Sequence, residues 1–339
     1  MLNSFIRNNV LLVSKPPGHF KCSGGLLCVL FFYMFALSCR AATPVSLAFL
    51  PLPDGVPLIV ERSAEKLLHE SALANAPITL LKADFNLSAK KPNSDLVMMS
   101  LHDLAERVQA LQVLELPFFY SGLTDIHQKM DAELGEQLRS IALKNGWVIL
   151  EWWDEGMQAM SGNRRYDRRI NLSGMEFILL RDDSMAQKQY KALNAWSRRV
   201  YPQSSQQLLH ECVVGSRSAT VARVWSERLD RVHLSLSLNK HRYEGHVLLA
   251  PLSRWQVLPE TMRTQLKKTA QSLRGWQRNE ALKHEQAALE SLRKSGMDVY
   301  ELSPEERRDF VQSLPPWREL LPASLSLEEK ASLLSLAGD

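Results

Sequence analysis

Glu151, Asp154 and Glu155 beside Trp152 and Trp153 have the residue types of a sugar-cleaving carboxylate pair. Such a pair must face across a sugar with about 5 to 10 Å between carboxyl groups. Neighbours at one strand end seldom do so, and these three are expected in turn and surface roles. Ser63-Ala64-Glu65-Lys66 and Ser291-Leu292-Arg293-Lys294 match Ser-x-x-Lys. Both lie on stretches with helical spacing, and the companion Ser-Asp-Asn and Lys-Thr-Gly motifs are missing, so they read as surface positions. His233, His241 and His246 fall around two different strands without metal-ligand spacing. No Gly-rich phosphate loop follows any strand. The chain therefore reads as no enzyme: no catalytic site, no catalytic metal and no cofactor.

Arginines are the remaining chemistry. Arg164, Arg165, Arg168 and Arg169 with Tyr166 superficially look like a nucleic-acid patch, and the 339-residue chain has a formal net charge of +4. That charge comes from the N-terminus. Residues 1–41 hold Arg7, Lys15, Lys21 and Arg40 and no carboxylate, which leaves 37 basic and 37 acidic side chains in the remainder. A neutral chain has no electrostatic ground for binding nucleic acid. The arginine run reads as a solvated loop, with docking to a membrane partner as the alternative.

Residues 1–41 have a basic leader, an apolar run from Gly24 to Leu37, and Ser38-Cys39-Arg40-Ala41-Ala42. About 14 apolar residues fall short of the roughly 20 that cross a bilayer. The segment is read as a secretory signal cleaved after Ala41 or Ala42, giving a periplasmic protein. Lipid anchoring at Cys39 is the minority alternative. Cys22, Cys28 and Cys39 lie in or beside the signal, so Cys212 is left alone and is expected to be a small buried apolar residue.

The elements that must position any site alternate between strand and helix. Val45 to Leu50, Ile78 to Leu81 and Leu96 to Met99 read as strands around a helix from Pro57 to Leu73, an α/β arrangement with a largely parallel sheet. Asn86 to Ser94 is a short polar connection. Leu101 to Val113 is expected to be helical, and Leu114 to Tyr120 to plug one side of the core with aromatics. Thr124 to Asn145 has the stripe of one amphipathic helix closed by Asn145-Gly146. Trp147 to Trp153 is a nearly unbroken apolar run, expected to be a strand buried on both faces that stops at Asp154-Glu155-Gly156. A second strand follows Asn171-Leu172-Ser173-Gly174. A helix from Ser184 to Trp196, a strand near Val200-Tyr201, the alternating Val232 to Leu238 and the buried Val247 to Ala250 come next. From Pro259 a helical stripe runs for about 37 residues, roughly 55 Å, too long for one lobe of some 120 residues. Met297 to Leu302 is a strand, and Ser303 with Glu306 forms a capping box.

Trp153-Asp154-Glu155-Gly156 is an aromatic-Asp-x-Gly turn, and Leu172-Ser173-Gly174-Met175-Glu176-Phe177 is Leu-x-Gly followed by an apolar strand. With Leu116-Pro117-Phe118-Phe119, Val247 to Pro259 and Gly296-Met297-Asp298-Val299-Tyr300, their order and spacing resemble the solute-binding proteins of tripartite ATP-independent periplasmic (TRAP) transporters, of DctP type, over roughly residues 95–320. The resemblance implies a two-lobed α/β periplasmic binding protein, a type II-like venus flytrap, whose long C-terminal helix spans both lobes. Residues 42–154 and 240–282 would form lobe I, residues 155–239 and 283–320 lobe II, and residues 321–339 a C-terminal tail, with the chain crossing between lobes near Asp154.

In that family the usual ligand is a carboxylate, held by arginines that can form two parallel charge-assisted hydrogen bonds. Aligned by the two motifs, the arginine positions hold Ile178 and Gln158 here, and the Val-Asp-Gly landmark becomes Val213-Val214-Gly215. Arg181 and Arg217 stand near enough to substitute. They form, with Gln158 and Trp153, the expected ligand-binding set. The implied function is capture of a small organic solute, an organic acid, by lobe closure and its delivery to membrane permease subunits of a TRAP transporter. The alternative is a divergent exported scaffold acting through protein contacts, in sensing or envelope assembly, with no small-molecule ligand.

Overall fold

Among the described residues ten strands carry the architecture: β1 (Val45–Phe49), β2 (Ile78–Leu80), β3 (Leu96–Ser100), β4 (Trp147–Gly162), β5 (Glu176–Leu179), β6 (Trp196–Arg199), β7 (Ser216–Thr220), β8 (Ser235–Leu238), β9 (Tyr243–Pro251) and β10 (Asp298–Glu301). The computed structural model describes residues 45–49, 57–74, 77–80, 94–202 and 204–338. The expected signal segment with Cys39, and the connection from Asn86 up to Ser94, lie outside the described residues.

The sheet runs β2-β1-β3-β9-β4-β7-β5-β6, with β8 paired to β4 and β10 to β8. It is mixed, where the sequence suggested a largely parallel sheet. β1 is parallel to β2 and β3, and β5 is parallel to β6 and β7. Between these flanks β9 runs antiparallel to both β3 and β4, and β4 antiparallel to β7. Two long strands running in opposite directions join two parallel flanks, a pattern that local sequence periodicity does not encode.

β4 also corrects the expected stop at Asp154-Glu155-Gly156. The strand continues for 16 residues: up to Met157 it pairs with β9, and from Gln158 onward with β7 and β8. Register shifts occur between Ile149 and Glu151 and between Asp154 and Gly156. Gly156 has φ 143°, which a β-carbon would strain, so the glycine permits a bulge rather than a turn. Burial on both faces holds as expected, because Trp152 joins one apolar cluster with Leu104, Leu138 and Leu249 while Trp153 joins another with Ile59, Leu248 and Leu266.

The helix Glu260–Lys294 is unbroken over 35 residues, roughly 50 Å. Leu266, Ala270 and Leu273 pack on the cluster beneath β1 and the helix Leu58–Leu73, while Ala288 and Leu292 pack with Val221 and Leu236 at the other end. It therefore serves both flanks. The stripe over 124–145 is two helices, Leu123–Met130 and Glu133–Lys144. Ile126, Met130, Leu134 and Leu138 still bury one face, and Gly135 lies so close to the Met130 carbonyl that a β-carbon there would collide with it. Leu101 to Val113 is a short helix, Leu101–Ala105, followed by a 3-10 turn, Gln109–Glu115. β6 begins at Trp196, four residues before the strand expected at Val200. The capping box of Ser303 and Glu306 is present.

Candidate functional site

A small cavity of about 40 Å³ opens where the carboxyl end of β5, the N-terminus of the helix Ser184–Ala192, β4, β7 and the entry to β9 meet. Gln158, Arg181 and Arg217 line it together, joined by Asp183, Arg242 and Glu244. Trp153 does not line it. Its ring is fully buried in the apolar cluster with Leu150 and Leu248, because it projects from β4 on a face filled by helix side chains. Ile178, at one expected arginine position, is likewise core: it is 1 % exposed and seated against Gly215, where a β-carbon would strike it.

Each charged group on the lining has a defined origin. Asp183 is the N-cap of Ser184–Ala192 and accepts from the Ala186 amide at 2.8 Å, the usual way an aspartate satisfies a free helix-end donor. Arg242 enters β9 just after Lys240, whose φ is 48°. Its carbonyl accepts from the Gln158 amide at 2.7 Å, and the His241 amide donates back to the Gln158 carbonyl at 3.2 Å, so β4 and this segment hold one another in register. The Arg242 guanidinium is buried and donates to Asp183 Oδ2 at 2.6 Å, the Glu115 carbonyl at 3.2 Å and Glu115 Oε1 at 3.4 Å. His102 lies 3.1 Å from Glu115 Oε1 through Nδ1 and 2.9 Å from the Asp182 carbonyl through Nε2. Two acceptors at the two ring nitrogens call for the imidazolium. Burial by itself lowers the His102 pKa, but Glu115 outweighs it and raises the group to about 9.

Nearer the opening, Arg181 donates to Glu244 Oε1 at 3.2 Å and Gln158 donates to Glu244 Oε2 at 3.0 Å. The Arg181–Glu244 pair joins residues 63 apart in the chain. Asp182 is met by Arg199 and Asp183 by Arg242. Arg217 donates to the Ser218 carbonyl at 2.8 Å and to Glu227 at 3.2 Å, and Tyr190 donates to Ser218 at 2.8 Å. Burial would raise the Glu244 carboxyl, but Arg181, Arg223 and the Gln158 amide prevail and hold it near 2. Asp183 behaves alike: burial opposes ionisation, and Arg242 with His102 overrides it, keeping the pKa well below the usual carboxylate range.

The carboxylates expected at a turn or on the surface are buried. Glu151, Asp154 and Glu155 are 0 %, 1 % and 2 % exposed, and each has a partner. Arg274 donates to Glu151 at 2.8 and 3.1 Å. Asp154 accepts from Tyr243 at 2.8 Å and lies 2.6 Å from His127 Nε2, and Glu155 accepts from Thr220 at 3.2 Å and from Arg223. Ser63 is buried too, donating to the Ile59 carbonyl one turn back. Cys212 is buried and its thiol is pushed up to about 12 by that burial. Among the described residues no group of three or more His, Cys, Asp and Glu side chains converges as a metal site, and no helix is long and apolar enough to cross a membrane. The Arg164 to Arg169 arginines are exposed, while Tyr166 between them is fully buried.

Asp183, Arg242 and Glu244 were not singled out from the sequence. The available signal was Arg242 and Glu244 on either side of Tyr243, two opposite charges at the mouth of an otherwise buried strand.

Three comparisons bear on this geometry. The model of the family described as "Bacterial extracellular solute-binding protein, family 7", DctP, matches residues 87–320. The chain is 25% identical over 207 residues to the C4-dicarboxylate-binding protein DctB of Bacillus subtilis, covering 60% of this chain and 59% of that one. With the C4-dicarboxylate-binding periplasmic protein DctP of Rhodobacter capsulatus the identity is 22% over 227 residues, covering 67% and 68%. Its fold matches that of a TRAP periplasmic solute-binding protein from Shewanella oneidensis with bound succinate, at a TM-score of 0.73 and 18% identity, over 88% of this chain and 100% of that chain. The two-lobed α/β class expected from the sequence is thereby shown.

Proposed function

Because the chain belongs to the DctP family of bacterial extracellular solute-binding proteins, we propose that it captures a small organic acid at the Arg181, Arg217 and Arg242 cavity and delivers it to the permease subunits of a TRAP-type transporter. The observation that carries the reading is the convergence of three guanidiniums and the Gln158 amide on one opening. Guanidiniums in a largely desolvated site are suited to a solute carboxylate. Relatives named for C4-dicarboxylate binding support an organic acid. Residues 42–154 with 240–282, and 155–239 with 283–320, would move as lobes about the part of β4 where its pairing passes from β9 to β7, closing on the solute without covalent chemistry. A periplasmic location after removal of residues 1–41 fits this role.

Thermal unfolding of the chain against organic acids, amino acids and neutral solutes tests the proposal. A solute at 100 times its dissociation constant adds about 2.7 kcal/mol, visible as a raised midpoint. The expected result is a hit that Arg181→Ala abolishes. No shift with any compound would overturn the reading and leave a scaffold acting through protein contacts.

A further inference from the structure

Arg181 and Gln158 both bond the same carboxylate. The guanidinium takes Glu244 Oε1 at 3.2 Å and the amide takes Oε2 at 3.0 Å, so the two oxygens of Glu244 have the donors that a bound carboxylate would use. Its side chain is 11% exposed and faces the opening. The surrounding cations are matched in the same way: Arg242 by Asp183 and Glu115, Arg217 by Glu227, Arg223 by Glu155. His102, held as an imidazolium against Glu115, completes five cations against five anions among the described residues. The surround is neutral, although four of its cations are arginines.

A plain dicarboxylate entering such a surround adds two negative charges to groups already neutralised, and burying charge without a counter-charge is costly. A zwitterion adds none. Its ammonium can meet Glu244 while its carboxylate meets Arg181, so that one ion pair is exchanged for two.

We propose that Glu244 is the specificity-determining residue of the cavity, a resident carboxylate that makes the site accept an acid carrying its own cation, of α-amino-acid type, in place of a plain dicarboxylate. This rests on the cavity being the solute site.

Calorimetric titration of the full chain with glycine, L-serine, L-glutamine, succinate and L-malate tests it, using the unmodified protein, Glu244→Gln and Gln158→Arg. The unmodified protein should bind at least one of the amino acids ten-fold or more tighter than either dicarboxylate. Glu244→Gln should reverse that order. Gln158→Arg keeps Glu244 but adds a guanidinium, and should gain dicarboxylate binding even if Glu244→Gln does not fold. An unmodified protein that prefers succinate or malate overturns the role of Glu244 and leaves the solute site standing. The same holds if both variants fold and keep the unmodified preference. If the protein and both variants bind none of the five compounds, the inference falls, while the solute-site reading stands or falls with the broader unfolding panel.

Discussion

Arg242 shows how much a single side chain holds at this site. It is 4% exposed and ties the helix N-cap Asp183 to Glu115 of the turn Gln109–Glu115, segments far apart in the chain. Removing one partner of a buried ion pair leaves the others charged and desolvated, typically at 3–5 kcal/mol. Arg242→Ala should therefore lose about 3–5 kcal/mol in a urea titration; a loss under about 1 kcal/mol would mean that Asp183 and Glu115 find water or other donors. Gln158, Arg181 and Arg217 were readable from motif spacing, and the structure brings all three to one cavity. Trp153 was read from the same spacing but lies in the core, since a motif gives position along the strand and not the face that neighbouring helices cover. Arg242 and Glu244 were not singled out: opposite charges flank Tyr243, but their partners stand 59 to 127 residues away, and no local pattern reports such pairs.

The elements were legible wherever periodicity or capping chemistry decides them. The Ser303 and Glu306 box, the Asn145-Gly146 close and the long stripe after Pro259 all act within a few residues, and all are found. The continuation of β4 through Gly156 and the mixed strand directions depend on which strand lies alongside, so the sequence pointed to a turn and a parallel sheet. The helix Glu260–Lys294 passes through Gly275 unbroken, and a β-carbon there would meet nothing within 4 Å. Glycine inside a helix costs about 1 kcal/mol relative to alanine. Gly275→Ala should raise stability by roughly 0.5–1 kcal/mol in denaturant unfolding, whereas a loss would show that the helix needs the glycine to flex.

The molecule as a whole should be most stable near pH 6.5, because its buried histidines are shifted in opposite directions. His102 is raised to about 9 by Glu115 against the effect of burial, so its contribution is complete below pH 6.5 and is lost as pH rises to 9. His241 and His246 are lowered to about 3, by burial first and then by Arg242 and Arg223 respectively. The unfolded chain takes up their protons below pH 6.5, and stability falls toward pH 3 by up to about 1.4 kcal/mol per histidine for each pH unit. Urea midpoints at pH 5, 6.5 and 9 check both limbs: the alkaline limb should flatten in His102→Gln, and a midpoint that rises steadily from 5 to 9 would contradict the assignment. The place of β9 has one further consequence, for the order in which the chain can fold. β9 lies between β3 and β4, so those strands have no neighbour to join them until residue 251 has left the ribosome, roughly 10 to 50 s into synthesis at 5–20 residues per second. For most of its translation the nascent chain can form the flank β2-β1-β3 but cannot close its own sheet.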